Sequence, residues 1–397
     1  MLPKLRPVEF FPVHLNGQDL VGVHDPEGIV EGTVLLPPAV ALVASLLDGR
    51  RDVVDIQAEY ARHSGGQLLF RWELERILDE LDRAGLLETE SFEARRRALT
   101  DAYRASPVRP PYHAGRSYPH DPDALRRMLQ AHLKAVDPTE LGGIVPRGIV
   151  APHIDFTRGG WCYGWAYAAV RQSPATTFVL LGVAHAGPPA PFVLTTKDFQ
   201  TPLGTVPVDG AFASALQKRG GELTEHEGVH RTEHSLEFQV LFLQVALEGR
   251  PFSIVPLLCS GFERWCGFSS PREVGEIERV IQALRDLVRN REDVCVICGV
   301  DLSHVGPRFG DREPPDLALA SRTSLRDRAV LEALMGGDPE AFWQEGMVDG
   351  NRQRIDALSA VYTALRVLEP VRGRLLRYGQ AQDPAGGIVS FASLALV

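Results

Sequence analysis

Six histidines follow residue 150, at positions 153, 185, 226, 230, 234 and 304. Three stand just past short apolar runs: His153 in IVAPHID, His185 in LLGVAHAG and His304 in GVDLSH. A fourth, His234 in RTEHSLEFQ, opens a segment whose Leu236, Val240 and Leu243 recur at helical spacing. Neutral imidazole is the commonest side-chain metal ligand, and it is also the acid or base that titrates near neutral pH. Two histidines with one oxygen ligand and open positions suit non-haem Fe(II), while zinc and copper also accept imidazole. A lone histidine past a strand is ordinarily a hydrogen-bonded structural residue. Three at strand ends and one at a helix start point to a site. Glu233, Glu237 and Asp301 stand where carboxylates orient such rings, although solvation of a strand or helix end accounts for each equally well. Asp155 is a further candidate, or only a cap for the turn into TRGGW. His226 and His230, in EHEGVHRTEH, read as a solvated loop, and His14, His24, His63, His113, His120 and His132 lie outside the strand-end set.

The elements that must carry these residues form two groups. From Gly148 onward, RGIVAPHID, TTFVLLGVAHAG, PFSIVPLLCSG and DVCVICGVDLSH are almost continuously apolar, with helical segments such as GEIERVIQALRDLVRN and DALSAVYTALRVLE among them. Strands apolar on both faces, alternating with helices, predict an α/β domain whose sheet is covered on both sides. In such sheets the ligand crevice lies beyond the carboxyl ends of the strands, which is where His153, His185 and His304 fall. No G-x-G-x-x-G, P-loop or nucleophile elbow accompanies the strands, so nucleotide and serine-hydrolase readings find no support.

Residues 1–105 read as a separate small α+β unit. VEFFPVHL and DLVGVHD are strand-like and flank a turn at Asn16–Gly17. The helices PPAVALVASLL, DVVDIQAEYARH and ELERILDELDRAGLL follow, the last placing Leu74, Ile77, Leu78 and Leu81 close to one face. Two strands and three compact helices predict a winged-helix-like domain. SFEARRRALTDAYRA reads as a polar connecting helix and the proline-rich SPVRPPYHAG as a linker, which puts the second domain at 106–397.

Composition narrows the class without naming a reaction. The 397 residues are 44% hydrophobic and 23% charged, with a net charge of −9. That balance excludes disorder and argues against a nucleic-acid or anionic-membrane binder. No stretch predicts a transmembrane helix or a signal peptide, and five sparse cysteines suit a reduced, cytoplasmic protein. Cys295 and Cys298 form a C-x-x-C within an apolar strand, where two buried thiols are expected rather than half a zinc site.

YHAGRSYPHDPDALRRML, GIVAPHIDFTRGG, LLGVAHAGPPAPFVLTTKDFQTPLGTVPVD, EHSLEFQVLFLQ, GVDLSHVGPRFG and VSFASLAL occur in that order over about residues 110–397. Together they resemble the Memo family, whose bacterial and archaeal members are often called AmmeMemoRadiSam system protein B. The resemblance implies a fold like that of class III extradiol dioxygenases: a central mixed sheet flanked by helices, with a non-haem iron in a histidine-lined crevice. It implies His153 and His185 as metal ligands, with Fe(II) expected first and copper or zinc as alternatives. His304 then resembles a catalytic acid/base and His234 a substrate-contacting histidine. The family's third metal-contacting position, a cysteine, falls on Ser303, whose neutral hydroxyl is a poorer ligand than a thiolate. A second departure is DGNRQRID, where Gly350–Asn351 replaces a frequent Cys–Gly pair. Within residues 1–105, LLDGRRDVVDIQ resembles the PqqD-type fold, which binds leader or precursor peptides beside radical-SAM enzymes. The partners so implied are radical-SAM and Ammecr-type proteins and a peptide ligand. Two functions follow: a metal-dependent, dioxygenase-like redox protein, or a non-catalytic peptide- and protein-binding module with a vestigial histidine pocket.

Overall fold

Asn16 and Gly17 both take left-handed φ angles, 51° and 76°, as a two-residue type I′ hairpin turn requires. The chain therefore reverses between β1 (Glu9–Leu15) and β2 (Gln18–His24), which pair antiparallel. β3 (Thr33–Leu36), unforeseen in the sequence, adds to the other side of β2. The helices are α1 (Pro38–Leu46), α2 (Val53–His63), α3 (Arg71–Arg83) and α4 (Glu90–Ala105). Asp52 caps α2 by accepting from the Val54 and Asp55 N–H groups, which satisfies two donors that a helix start leaves without partners. Leu74, Ile77 and Leu81 of α3 pack on Val43, Ala44 and Ile56, as the 3.6-residue spacing predicts.

The computed structural model describes residues 1–30 and 32–397. Its two compact units are Met1–Ser106 with Pro307–Gly310, and Pro107–Gly306 with Asp311–Val397. Among the described residues no helix is long and apolar enough to cross a membrane.

The larger unit opens with β4 (Val108–Arg109), α5 (Pro122–Lys134), β5 (Gly148–Ala151), α6 (Phe156–Val170) and β6 (Thr177–Val183). Three short strands follow, β7 (Phe192–Leu194), β8 (Asp198–Thr201) and β9 (Gly204–Val206), then α7 (Gly210–Gly220) and α8 (His234–Ala246). Next come β10 (Ser253–Cys259), the single turn α9 (Glu263–Cys266), α10 (Gly275–Val288), β11 (Val294–Gly299) and β12 (His304–Val305). The chain ends with α11 (Leu317–Gly336), α12 (Pro339–Met347), α13 (Ala357–Leu368), β13 (Gly373–Asp383) and β14 (Gly387–Leu396).

The sheet is mixed, in the order β12-β14-β5-β11-β6-β10-β7, with β13 paired to β14. β5, β11, β6 and β10 run parallel and form its centre. Successive residues of these strands enter opposite cores, as a period of two demands. Val179, Val255 and Val296 pack with Ile277 and Leu365 on one side, while Phe178, Ile254 and Ile297 pack with Tyr163 and Phe242 on the other. Cys295 and Cys298, three residues apart, thus face opposite sides and are both fully buried. Because the parallel strands share a direction, the residues after β5, β6 and β11 emerge at one edge.

The proline-rich stretch after α4 is more than a linker. β4 pairs parallel with β8, and Arg109 within it has no solvent exposure.

In the smaller unit, Arg6 and Asp25 form a buried pair, with Nη1–Oδ2 and Nη2–Oδ1 distances of 3.0 and 2.9 Å. The Asp25 carboxylate also accepts from the Glu27, Ile29 and Val30 N–H groups. Burial alone raises its pKa, but Arg6 and the backbone donors outweigh this and hold it below the usual range. Asp25→Ala leaves a buried guanidinium without its carboxylate and should cost about 3–5 kcal/mol, measured by chemical denaturation of the full chain. A carboxyl with a depressed folded pKa contributes above the ordinary carboxylate range and loses that contribution as pH falls through the lowered value. The difference between wild type and Asp25→Ala should therefore shrink in acid and be unchanged between pH 6 and 8.

Candidate metal centre

α8 reaches the carboxyl edge of the sheet because two glycines let it approach. A Cβ on Gly299 would lie 2.5 Å from the Ser235 carbonyl oxygen, and one on Gly182 would lie 2.5 Å from Ser235 Oγ. The first turn of α8 thereby sits on the ends of β11 and β6. Ser235 Oγ accepts from the Val183 N–H, and Gln239 Nε2 donates to the Pro152 carbonyl oxygen at 2.8 Å. The helix start is thus tied to the segments that carry His185 and His153.

Three imidazoles meet there. Ring centroids are 5.0 Å apart for His153–His185, 4.9 Å for His153–His234 and 4.8 Å for His185–His234. One nitrogen from each lies within 4.8 Å of the other two, so His153, His185 and His234 can hold a metal ion. His153 Nδ1 donates to the Gly299 carbonyl oxygen at 3.1 Å, which directs Nε2 into the crevice. His185 Nδ1 donates to the Glu233 carboxylate at 3.0 Å, leaving its Nε2 as the ligand atom. A metal-binding histidine ordinarily has its second nitrogen fixed in this way.

His153, His304 and Asp356 form a second such group, sharing His153. Asp356 Oδ2 lies 3.0 Å from His153 Nε2 and 3.8 Å from His304 Nε2. His304 Nδ1 donates to the carbonyl oxygens of Leu302 and Arg354 at 3.1 and 3.0 Å, so its Nε2 faces Asp356. Asp301 accepts from the His153 N–H at 3.0 Å, and its Oδ2 is 3.6 Å from His153 Nε2.

The charges follow from these contacts. Burial lowers the His153 pKa, but Asp356 and Asp301 reverse this and push it up to about 10. Loss of solvent likewise lowers His185, and Glu233 more than compensates. His234 is held well below its usual value by desolvation and by the neighbouring imidazoles, despite Glu233. Burial raises Glu233, but His185, His234 and the Ser235 N–H overcome this and keep it ionised. His234 is therefore neutral, as a ligand must be. A cation binding at His153 must displace a proton, so its affinity rises with pH.

Other candidates lie elsewhere. Glu237 is engaged by Arg109, by the Tyr118 hydroxyl and by the His113 N–H; it supports the site from behind and bonds none of the three clustered rings. Asp155 caps α6 through the Thr157 and Arg158 N–H groups and pairs with Arg158. Ser303 is fully buried, donating to Asp327 at 2.5 Å and lying 2.9 Å from Gln353 Oε1, and belongs to neither group. His230 is not solvated: it is 1% exposed, and its Nε2 contacts the Val193 carbonyl oxygen at 3.0 Å. Nothing in DGNRQRID marks Asp356 as a ligand in the sequence. His113, outside the strand-end set, brings its ring edge-on to His234 at 5.7 Å.

The chain that forms this crevice is matched over residues 109–395 by a family model, that of Memo-like proteins. The chain belongs to the Memo-like family. A MEMO1 family protein of Aquifex aeolicus is 31% identical over 99% of both chains. One from Thermus thermophilus is 34% identical over 83% of this chain and 93% of its own. A Methanopyrus kandleri relative, 29% identical, matches over 98% of its own length but 72% of this chain. The Aquifex relative therefore extends over the smaller unit as well as the Memo-like one.

The family match begins at Arg109, the residue that ties the support of the crevice together. Its Nε donates to the His230 carbonyl oxygen at 2.9 Å, its Nη2 to that of Glu233 at 2.7 Å, and its Nη1 to Glu237. Arg109→Ala should lower stability by about 3–5 kcal/mol, because it leaves Glu237 charged and buried. A denaturant midpoint unchanged from wild type would show that this network contributes nothing.

Proposed function

We propose that this Memo-like protein is a metal-dependent, dioxygenase-like redox protein whose centre is the histidine crevice. The carrying observation is the convergence of His153, His185 and His234 with the second nitrogens of His153 and His185 already bonded to Gly299 and Glu233. Fe(II) is the first candidate and copper or zinc the alternatives, in keeping with the resemblance to class III extradiol dioxygenases. Such an ion supplies a Lewis-acidic centre and, if iron or copper, a redox-active one. The protein supplies the rest. Glu233 orients His185, Gly299 orients His153, and His304 Nε2 stands across Asp356 as the proton-handling group, its ring fixed through Nδ1.

Protein purified without oxygen should hold or take up one divalent ion per chain, read by elemental analysis and titration. His153→Ala should abolish uptake, since His153 is common to both ligand groups. Unchanged metal content in that variant would refute the assignment.

A second reading concerns partners and has its own observation. In the smaller unit Leu68, Phe70 and Trp72, at and before the start of α3, are 75%, 55% and 61% exposed, and exposed apolar side chains in close sequence suit a docking surface. A PqqD-like role in holding a peptide, with radical-SAM and Ammecr-type proteins as partner enzymes, is the proposal this supports. Trp72→Ala in the full chain should then weaken binding to a radical-SAM protein encoded nearby by at least about tenfold, as loss of an aromatic hot spot does. Titration calorimetry showing equal affinity would remove this surface from the partnership.

A further inference from the structure

The loop between α12 and α13 breaks two local rules. Asp356 stands at the N-cap position of α13, where an aspartate ordinarily accepts from its own helix, yet its side chain makes no capping bond. Its Oδ1 instead accepts from the Asp301 N–H at 2.8 Å, which aims Oδ2 between His153 and His304. The approach to it is strained at Arg354, whose φ of 52° lies in the left-handed region, as does the 53° of Asn351; asparagine visits that region, whereas for arginine it is sterically disfavoured. Specific bonds hold that backbone. Asn351 Oδ1 accepts from the Ile355 N–H and its Nδ2 donates to the Ile355 carbonyl oxygen, while Arg354 donates to the His304 carbonyl oxygen and to Asp311. A forfeited cap and a strained loop thus deliver one carboxylate oxygen to two imidazoles.

We propose that Asp356 is the anionic ligand of the centre and that its oxygen restricts the centre to hard or borderline divalent ions, Fe(II), Co(II) or Zn(II), over Cu(I). The inference rests on the metal reading above and adds which residue supplies the charge and which ions it admits. Asp356 Oδ2 and His153 Nε2 stand 3.0 Å apart, a hydrogen-bonding distance, and with His304 they lie close enough together to hold one ion. Sulfur ligands favour Cu(I), whereas imidazole with carboxylate suits Fe(II) and its neighbours. Among the described residues no cysteine joins either ligand group.

The test compares wild type, Asp356→Ala, Asp356→Asn and Asp356→Cys as full chains, loaded anaerobically with Co(II) or with Cu(I) buffered by a chelator. Wild type should bind Co(II) with weak visible d–d bands and no sulfur charge-transfer absorption in the near-ultraviolet. Asp356→Ala and the near-isosteric Asp356→Asn should lose at least the roughly 10–100-fold in Co(II) affinity that removal of even an outer partner costs. Asp356→Cys should gain the sulfur charge-transfer band and bind Cu(I) more tightly than wild type. Circular dichroism and melting of Asp356→Asn separate lost ligation from lost folding. Co(II) affinity and spectrum unchanged in a folded Asp356→Asn would overturn the proposal, as would Asp356→Cys binding Co(II) without the sulfur band. If wild type takes up no divalent ion, the metal reading itself fails. If His153→Ala abolishes binding while Asp356→Asn preserves it, only the role of Asp356 fails.

Discussion

The crevice depends on one carboxylate that performs two tasks. Glu233 stands at the N-cap of α8, where its Oε1 accepts from the Ser235 N–H at 2.9 Å. The same group holds His185 through Nδ1 and through the His185 N–H. Serine, threonine, aspartate and asparagine are the usual caps, and the longer glutamate is what spans from the helix start to the end of β6. His234 is the next residue. One of the three clustered imidazoles is therefore set by this cap, a second follows it directly with its Nδ1 3.4 Å from Glu233, and the third is set by the end of β11 through Gly299. Sheet geometry brings the strand ends together, and the cap converts that proximity into fixed ring orientations.

A second buried network lies behind the cap. Arg109 and Glu237 are both without solvent exposure, and taking such a pair out of water recovers little net stability. Its geometric consequence is clearer than its energetic one. Arg109 gathers the carbonyls of His230 and Glu233, and Glu237 receives the His113 N–H and the Tyr118 hydroxyl. The residues just before α8 and the stretch around His113 are thus clamped to one helix face. The first turn of α8 has little freedom to drift from the sheet edge, which is what a preorganised ligand set needs.

Much of this was legible from residue order, for identifiable reasons. Both-face apolar runs ending in histidine placed His153, His185 and His304 at the carboxyl edge, because parallel strands share a direction. The hairpin at Asn16–Gly17 and the buried face of α3 followed from turn chemistry and helical period. Long-range roles were not legible. Arg109 sits among prolines, a setting that reads as linker, and its burial comes from pairing with β8. The polar neighbours of His230 read as a solvated loop, and only the fold carries it to Val193. Asp356 lies in a stretch without periodicity, and what distinguishes it is the capping bond it does not make. These positions break or lack a local signal, as residues held by tertiary structure at a site tend to do.

The electrostatics give the arrangement its sense. Glu233, Asp301 and Asp356 converge on a cluster in which His234 is neutral. Asp301 and Asp356 face the same imidazole, and burial together with Asp356 raises the Asp301 pKa. Burial acts the same way on Asp356, but His153, His304 and His185 overcome it and keep that carboxylate ionised. A proton on His153 balances part of this charge, yet like-charged groups so close in a poorly hydrated site are costly unless a stronger positive charge lies among them. A divalent cation bound between the imidazoles and Asp356 meets that demand with two charges at one point, where a proton brings one. The carboxylates that would destabilise a bare hydrophobic crevice are thus the feature that makes this one a fitting place for a metal.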